Sequence, residues 1–442
     1  MGTSADNVNS CGQTRNHAAI TEIETDPVVI TGIGVVSPLG ANALSTWEGV
    51  LAGKTAARRL TSSDFSNLPP VMLTEEISWI GCPAAIDYHA SVDRLVELSL
   101  RVTNEALQDA QLNLKSLQPD RVGCVFGTSK GSLFAATACL ADPESPHPDW
   151  LQCLSGAGIG LQAILQHWGI SGPGLAPVAA CATGVAAVLR AADFLRSGEC
   201  DLVIAGSADD SLHPLVLSSF QRLGVLANGP NPTQAGRPFD QNRNGFVMGA
   251  GAGALILERR SRATQRNRPW YAELGPGLLR SDPTGMTGLD ATGKTLARLI
   301  RDCSRTSRDA EIQRPDVLNL HGTGTRMNDV AECRAVQLAY GEQSAEILCG
   351  SLKGSLGHLL GAAGSVELAI CCQMLRDQVA PPNRNLDQPD RDCGLCWSTG
   401  QDRRPIESLL KLSMGFGGHQ AALWLNRGTL RSNRDDIPPS RS

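Results

Sequence analysis

Short runs of apolar and β-branched residues alternate along this chain with longer stretches in which apolar residues recur every three or four positions. The first pattern predicts strands at Val28–Thr31, Arg121–Phe126, Leu202–Ala205, Ala252–Leu257, Val317–Leu320 and Ala421–Leu425. The second pattern predicts helices at Ser91–Gln111, Gly184–Ser197, Gly293–Cys303, Val330–Tyr340 and Gly364–Arg376. Strands that alternate with helices indicate an α/β architecture with parallel sheet content.

The two ends of the chain lack this alternation. Residues 1–26 are polar and mixed, so we expect a flexible N-terminal extension, and residues 428–442 are rich in charge and proline, so we expect a disordered tail. The hydrophobic content of 42% in 442 residues suits a globular protein with a sizeable core. The net charge of −5 gives no indication of nucleic-acid binding. No apolar run approaches the roughly 20 residues that cross a bilayer, so we expect no membrane contact and a cytoplasmic location.

The chain contains fourteen cysteines, which could indicate disulfides or a metal site. Several of them, such as Cys124, Cys303 and Cys349, lie in apolar segments, which favours reduced and buried thiols in the cytosol. Cys393 and Cys396 form an isolated CxxC pair, and a second pair at zinc-type spacing is missing from the sequence. We therefore predict no metal site.

One cysteine lies in an unusual run of small residues, Val178–Gly184. The preceding Gly172–Val178 reads as a turn into a short apolar strand, and the following Val185–Leu195 has helical periodicity. Cys181 would therefore lie where free backbone N–H groups and the positive end of a helix dipole converge, and that field favours the nucleophilic thiolate. The small neighbours allow a sharp turn and leave room for a substrate. We predict that Cys181 is a nucleophile.

Two histidines further along the chain have glycine-rich surroundings of their own. His321 lies in Leu318–Thr325 and His358 lies in Ser351–Gly364, each near the end of an apolar segment. A cysteine nucleophile is commonly accompanied by histidines that are distant in sequence. Either histidine alone is explained as well by a structural role, but the coincidence of all three residues favours a common site.

Glycine-rich motifs accompany these residues at Val28–Gly40, Arg237–Asp240, Gly245–Gly249, Gly251–Gly253 and Gly415–Gly418. With these motifs and the Cys181, His321 and His358 segments, the chain resembles the β-ketoacyl-[acyl carrier protein] synthases, in particular the type II elongating enzymes of the thiolase superfamily. The resemblance implies an α/β fold with five layers, α-β-α-β-α, built from two similar halves. By this resemblance, residues 27–270 form an N-terminal ketosynthase half with the cysteine, and residues 271–427 form a C-terminal half with both histidines.

The resemblance also implies an activity, the decarboxylating Claisen condensation of an acyl thioester with malonyl-[acyl carrier protein] in fatty-acid or polyketide biosynthesis. Cys181 would hold the acyl group as a thioester. His321 and His358 would donate N–H groups to the thioester oxygen when loss of CO₂ leaves an enolate. The implied partner is an acyl carrier protein, whose phosphopantetheine arm carries the substrates without a further cofactor, and the implied assembly is a homodimer.

Four residues match family positions at the acyl group, along its channel or at the border of the site. The backbone N–H groups of Cys181 and Phe416 match the oxyanion hole, and the Phe416 ring matches a gate against the acyl chain. Phe220 matches a position at the acyl channel. Asp282 falls on a loop that borders the site in this family.

A second set of residues matches supporting positions. Lys353 matches the active-site lysine, and its expected ion-pair partner is Glu367. Thr323 and Thr325 match threonines that hydrogen-bond the pantetheine arm. Glu332, which follows His321, is expected to anchor the histidine loop rather than to act on substrate.

The chain departs from the family pattern at several places. Lys130 stands where elongating members usually have an apolar residue at the floor of the acyl pocket, so it would either shorten the pocket or pair with a carboxylate at the dimer interface. His419 and Gln420 replace a Thr-Asn pair. Residues 281–287 lack the family's bulkier side chains. Residues 87–94 lack the basic cluster that often docks the carrier protein, with Arg94 as the one clear candidate.

Two other functions remain as alternatives. A catalytically silent partner subunit, like a chain-length factor, typically lacks the nucleophilic cysteine, whereas this chain keeps Cys181 with both histidines. A thiolase-like acyltransferase normally uses a second cysteine as base, and the presence of Lys353 with His358 argues against it.

Overall fold

The computed structural model describes residues 26–59, 71–72, 93–141, 156–305, 311–402 and 404–430. Strands and helices alternate through these ranges. The strands are β1 Val28–Val36, β2 Ala57–Arg58, β3 Val71–Met72, β4 Val122–Gly127, β5 Gly174–Leu175, β6 Leu202–Asp209, β7 Met248–Gly249, β8 Gly251–Arg259, β9 Ala272–Ser281, β10 Val317–Asn319, β11 Leu348–Gly350, β12 Cys396–Trp397, β13 Ser408–Gly415 and β14 His419–Arg427. The helices are α1 Ala43–Leu51, α2 Arg94–Asp109, α3 Leu133–Ala141, α4 Ile159–Trp168, α5 Thr183–Arg196, α6 Pro214–Arg222, α7 Arg260–Gln265, α8 Lys294–Cys303, α9 Arg326–Tyr340, α10 Lys353–Leu356 and α11 Ala363–Asp377.

Eleven of these strands form one sheet that contains the same arrangement twice. Its order is β12-β11-β10-β13-β14-β9-β1-β8-β6-β4-β5. In the first half, β8 is antiparallel to both β1 and β6, and β4 and β5 continue in parallel to β6. In the second half, β14 is antiparallel to both β9 and β13, and β10 and β11 continue in parallel to β13. The short β1–β9 pairing joins the halves.

Helices cover both outer sides of the folded sheet and also fill the space between its halves. Helices α2 and α4 pack on the first half from outside, and α8 packs on the second half together with α9. Helices α5 and α11 lie between the halves and contribute to one central apolar core with strands from both. The five-layer α-β-α-β-α prediction is therefore confirmed.

The two central helices cross where each has a glycine near its N-terminus. A Cβ atom on Gly184 would lie 2.2 Å from the Ser365 amide nitrogen, and one on Gly364 would lie 2.6 Å from the Val185 amide nitrogen. Because real Cβ atoms do not approach backbone this closely, only glycine permits the crossing. The crossing places the N-terminal ends of both helices next to each other in the core.

The predicted strands and helices are all present, with shifted ends. The largest difference precedes Cys181, where the expected apolar strand is reduced to the two residues of β5. The chain end also differs from the expected tail: Gly428 and Leu430 donate hydrogen bonds to the carbonyl groups of Tyr271 and Trp270, so the fold extends to Leu430. Among the described helices, none has the length and apolar character that crossing a bilayer would require.

Candidate active site

A cavity of about 510 Å³ lies where the two halves meet. Cys181 from the first half and His321 and His358 from the second half all line it. The structure thus brings together the three residues singled out in the sequence. Ligand cavities are common at such junctions, because loops from both halves can reach the same space.

Cys181 is held on a strained turn at the start of a central helix. Residues Ala180–Ala182 form a single 3₁₀ turn directly before α5, and Ala180 adopts a positive φ of 47°. Thr183 fastens this turn, because its hydroxyl donates to the Ala180 carbonyl at 2.7 Å and accepts from the Ala179 amide at 2.9 Å. The turn exposes a half-buried Cys181 to the cavity at the positive end of α5.

The protonation state of Cys181 differs from the one expected from its place at the helix end. Burial raises the pKa of the thiol to about 11, although the positive charges of Lys130 and Lys353 act in the opposite direction. The resting side chain is therefore the thiol rather than the thiolate. Attack on a substrate requires that the proton leave at that moment, which calls for a nearby base.

The two histidines are fixed through their backbones. The amides of His321 and Gly322 donate to the two carboxylate oxygens of Glu332 at 2.5 and 2.8 Å, so Glu332 does anchor the first loop. The amide of His358 donates to the Val247 carbonyl at 2.8 Å. The ring centroids of the two histidines are 5.3 Å apart and the rings are nearly perpendicular.

Both imidazoles are neutral. Burial lowers the pKa of each ring well below its usual value, and the positive charges of Lys353 and Lys411 lower it further. A neutral imidazole has one N–H donor and one lone pair, so each ring can donate one hydrogen bond and can also accept a proton. These properties suit the cavity both for stabilising an anion and for receiving the thiol proton.

A buried charged cluster lies behind the histidines rather than in the cavity wall. Lys353 donates to Glu367 at 2.6 Å and to the His321 carbonyl at 2.7 Å, so the predicted ion pair is present and supports the histidine loop. Lys411 binds the other carboxylate oxygen of Glu367. Lys411 was not predicted as a site residue, although a charged residue inside the apolar segment Leu409–Leu412 is a signal that the sequence carries.

The hairpin between β13 and β14 brings Phe416 to the cavity. Its turn has positive φ angles of 84° at Gly417 and 79° at Gly418, which glycine adopts without strain. A Cβ on Gly415 would lie 2.9 Å from the Cys181 amide nitrogen, so the hairpin passes directly beside Cys181. Phe416 lines the cavity and remains 36% exposed, the position expected of a gate.

Asp282 organises the loop that faces this hairpin. Its amide donates to the Gly418 carbonyl at 2.8 Å. Its carboxylate accepts from the amides of Thr284 and Asp290 at 3.0 and 2.7 Å, and from the Gln420 side chain at 3.4 Å. Asp282 and Gln420 also line the cavity, so the loop and the hairpin form one continuous part of its wall.

A row of aromatic rings runs from the gate to the histidines. Ring centroids are 6.1 Å apart for Phe416–Phe220, 5.6 Å for Phe220–Phe246 and 5.0 Å for Phe246–His358. The exposed Lys130 places its ammonium nitrogen 5.7 Å from the Phe220 centroid, and Lys130 is not among the described residues that line the cavity. Its effect on the length of the acyl pocket stays a prediction.

The remaining predicted residues lie around the same cavity. Thr323 and Thr325 line it with their hydroxyl groups 2.9 Å apart. His419 lines it as well. Of the expected carrier-docking segment, residues 87–92 lie outside the described residues, and Arg94 faces Asp210 at 3.8 Å.

A central helix that presents a cysteine to two imidazoles, within this five-layer arrangement, defines the protein as an acyltransferase with a thiolase-like fold. Residues 25–263 match the family model for the N-terminal domain of beta-ketoacyl synthase, and residues 271–387 match the model for its C-terminal domain. The chain therefore belongs to the beta-ketoacyl synthase family.

Relatives and solved structures agree with this assignment over nearly the whole chain. The chain is 32% identical to the tetracenomycin polyketide synthase ketoacyl synthase alpha subunit of Streptomyces glaucescens, over 90% of this chain and 97% of that protein. It is 30% identical to 3-oxoacyl-[acyl-carrier-protein] synthase 2 of Coxiella burnetii, over 92% and 99%. A solved complex of a type II PKS acyl-carrier protein with its ketosynthase is similar with a TM-score of 0.80 and 28% identity, covering 91% of this chain and 99% of that one.

Proposed function

We propose that this protein is a 3-oxoacyl-[acyl carrier protein] synthase that uses Cys181, His321 and His358 as its catalytic residues. The observation that carries the proposal is their convergence in one cavity, with a thiol supplied by one half and two neutral imidazoles supplied by the other.

In the first step, the acyl group moves from its carrier to Cys181. An imidazole takes the thiol proton as sulfur attacks the thioester carbonyl, and the carbonyl oxygen becomes an oxyanion. The backbone N–H groups of Cys181 and Phe416 would stabilise that oxyanion, since the hairpin that carries Phe416 runs beside the Cys181 amide. The tetrahedral intermediate then collapses, the carrier thiolate leaves, and it takes up the proton.

In the second step, the malonyl thioester loses CO₂ and its electron pair moves onto the thioester oxygen. The N–H groups of His321 and His358 would donate hydrogen bonds to this enolate oxygen. The enolate carbon then attacks the acyl carbonyl on Cys181 and a carbon–carbon bond forms. The sulfur leaves as a thiolate, which takes a proton from the solvent. The products are a 3-oxoacyl thioester and CO₂.

The contacts of the supporting residues indicate their roles. Lys353 with Glu367 would position the His321 loop through the hydrogen bond to the His321 carbonyl. The paired hydroxyls of Thr323 and Thr325 would bind the amides of the phosphopantetheine arm. The reaction would need no cofactor besides this arm.

The partners are proposed on separate grounds. An acyl carrier protein is required because both substrates are thioesters on a mobile arm. A homodimer is supported by β5, which is the outermost strand at one edge of the sheet among the described residues and whose Leu175 is 39% exposed, with Val178 close in sequence at 53%. An open strand edge with apolar neighbours favours pairing with a second copy. The halves 27–270 and 271–427 are proposed as the functional division of the chain.

The alternatives fit the site less well. A silent partner subunit does not need an accessible thiol at the end of a central helix. A thiolase-like mechanism needs a second cysteine at the cavity, and Cys181 is the only cysteine among the described residues that line it.

Loading of the cysteine tests the proposal directly. The protein is incubated with acyl-carrier thioesters of graded length, and peptide mass spectrometry locates the added acyl group. We expect acylation at Cys181 and, after addition of malonyl-carrier, a 3-oxoacyl product with release of CO₂. Cys181→Ser should abolish condensation, whereas Cys396→Ser, at another half-buried cysteine, should behave as wild type. Acylation at a different cysteine, or none under conditions that load a known condensing enzyme, would overturn the assignment.

A further inference from the structure

Two lysines share one carboxylate in the core behind the histidines. Lys353 on α10, Glu367 on α11 and Lys411 on β13 are 2%, 2% and 0% exposed, respectively. Each lysine binds its own oxygen of the Glu367 carboxylate. We call these three residues the buried triad.

Each lysine of the triad is also held by a backbone carbonyl. Lys353 donates to the His321 carbonyl and Lys411 donates to the Leu412 carbonyl, both at 2.7 Å. Oxygen acceptors of this kind stabilise the charged ammonium form. The single carboxylate of Glu367 balances only one of the two charges.

An unbalanced buried charge is costly, and an apolar side chain at position 411 would avoid the cost. Lys353 and Glu367 alone already form a complete ion pair that supports the His321 loop. The hydrogen bonds of Lys411 go to Glu367 and the Leu412 carbonyl, and neither reaches a histidine. Its evident contribution is therefore its charge.

We propose that Lys411 is a positioning residue that leaves the buried triad with one excess positive charge, which favours formation of the anionic enolate at His321 and His358. The proposal rests on the condensing function proposed above and extends it to a residue outside the cavity. Lys411 touches neither substrate nor imidazole and acts through Glu367 and Lys353.

The charges around the imidazoles agree with this role. Lys353 and Lys411 lower the pKa of both rings after burial, and Lys130 also lowers that of His358. Glu332, which contacts the His321 loop, is committed to two backbone amides, and burial raises its pKa to about 7, which weakens it as a counter-charge.

The remaining acidic group of the triad stays ionised. Although burial alone would raise the pKa of Glu367, the charges of Lys353 and Lys411 outweigh burial and hold it below its usual value. On the thiol side, Asp209 and Glu367 raise the pKa of Cys181, while Lys130 and Lys353 lower it. The field at the imidazoles is thus cationic, which keeps them neutral and favours a negative charge beside them.

Removing or keeping the charge at position 411 tests the proposal. Lys411→Met removes the ammonium group and keeps a side chain of similar length. Lys411→Arg keeps the positive charge and leaves the ion pair between Lys353 and Glu367 in place. Lys294→Met, at an exposed position on α8, is the matched control for loss of a lysine.

The first readout is the rate of malonyl-carrier decarboxylation as a function of pH. We expect Lys411→Met to lower the rate about 10-fold, because the developing enolate loses the attraction of one unit charge. Because loss of a cation raises the pKa of an imidazole, the acidic limb of the pH–rate profile of Lys411→Met should move to higher pH. Lys411→Arg should keep most of the rate and the wild-type limb. A Lys411→Met rate within twofold of wild type, or an equally large loss in a folded Lys411→Arg protein, overturns the proposal.

The second readout needs no substrate. Titration of ¹⁵N-labelled histidine side chains by NMR should show higher imidazole pKa values in Lys411→Met and wild-type values in Lys294→Met. If the imidazole pKa values in Lys411→Met equal those of wild type, the proposal for Lys411 is overturned. This result can be obtained even if the wild type forms no product, so failure of the Lys411 proposal is distinct from failure of the condensing function. Thermal unfolding verifies that the variants fold, and Lys411→Met should be at least as stable as wild type because its remaining ion pair is balanced.

Discussion

The turns that precede the two central helices have the same backbone and different chemistry. Residues Ala180–Ala182 before α5 and Leu360–Ala362 before α11 are both single 3₁₀ turns that run directly into a long helix. The first residue of each has a positive φ, 47° at Ala180 and 48° at Leu360, although neither is glycine. Such strain in non-glycine residues persists only where the surrounding structure enforces it.

The difference between the turns lies at their middle residue. Cys181 occupies this place in the first turn and faces the cavity, whereas Gly361 occupies it in the second and donates its amide to Asp209 at 3.1 Å. A Cβ on Gly361 would lie 2.6 Å from the Ser129 amide nitrogen, so no nucleophilic side chain fits there. The second half supplies His358 instead, from the loop just before its turn. One backbone plan thus places a thiol from one half and an imidazole from the other at the same cavity.

The strongest way to separate these two contributions is Cys181→Gln. Loss of the thiol should lower condensation by about 10³-fold or more, because no acyl-enzyme can form. Decarboxylation of malonyl-carrier should continue, because both imidazoles remain. Product and CO₂ are measured in the same reaction. His321→Ala in the Cys181→Gln background is the control and should lose the remaining decarboxylation. A Cys181→Gln protein that releases no CO₂ would show that thiol and imidazoles do not have separate roles.

The crossing of the helices behind the turns can be tested by adding one methyl group to either side. Gly184→Ala and Gly364→Ala should each lower the free energy of unfolding by about 2–4 kcal/mol, because the new Cβ meets the backbone of the opposite helix. Gly229→Ala is the matched control, since no atom of the described residues lies within 4 Å of its added Cβ, and it should change stability by less than about 0.5 kcal/mol. Urea unfolding measures all three. If either crossing variant proves as stable as Gly229→Ala, the helices do not depend on this close approach.

Much of this arrangement follows from the sequence because it depends on local patterns. Continuous apolar runs such as β6 and β8 are buried along almost their whole length, so periodicity alone locates them. Cys181 and the two histidines stand in glycine-rich segments whose composition departs from that of ordinary core. The alternation of strands and helices gives the fold class before any contact is known.

Other features depend on distant parts of the chain and leave no local trace. The strand before Cys181 shrinks to β5 because its chain turns away from the sheet edge to enter the 3₁₀ turn. The raised pKa of Cys181 reflects burial by elements from both halves, which the position of a cysteine at a helix end does not reveal. Lys411 is visible as a charge in an apolar strand, but its partner Glu367 is 44 residues earlier and is identified only by the packing.

The smallest expected effect concerns the strain at Ala180 itself. Ala180→Gly should raise the free energy of unfolding by about 0.5–1 kcal/mol, because glycine adopts a positive φ without a steric penalty. Ala182→Gly, in the same turn but at a φ of −90°, relieves no strain, so the loss of its buried methyl group and the flexibility of glycine should lower stability by about 1 kcal/mol. If the free energy of unfolding rises in Ala180→Gly and falls in Ala182→Gly, the backbone strain is located at Ala180. If the strained turn also fixes the direction of Cys181, the more stable Ala180→Gly protein should be acylated more slowly, and a rate equal to that of wild type would assign the positioning of the thiol to Thr183 alone.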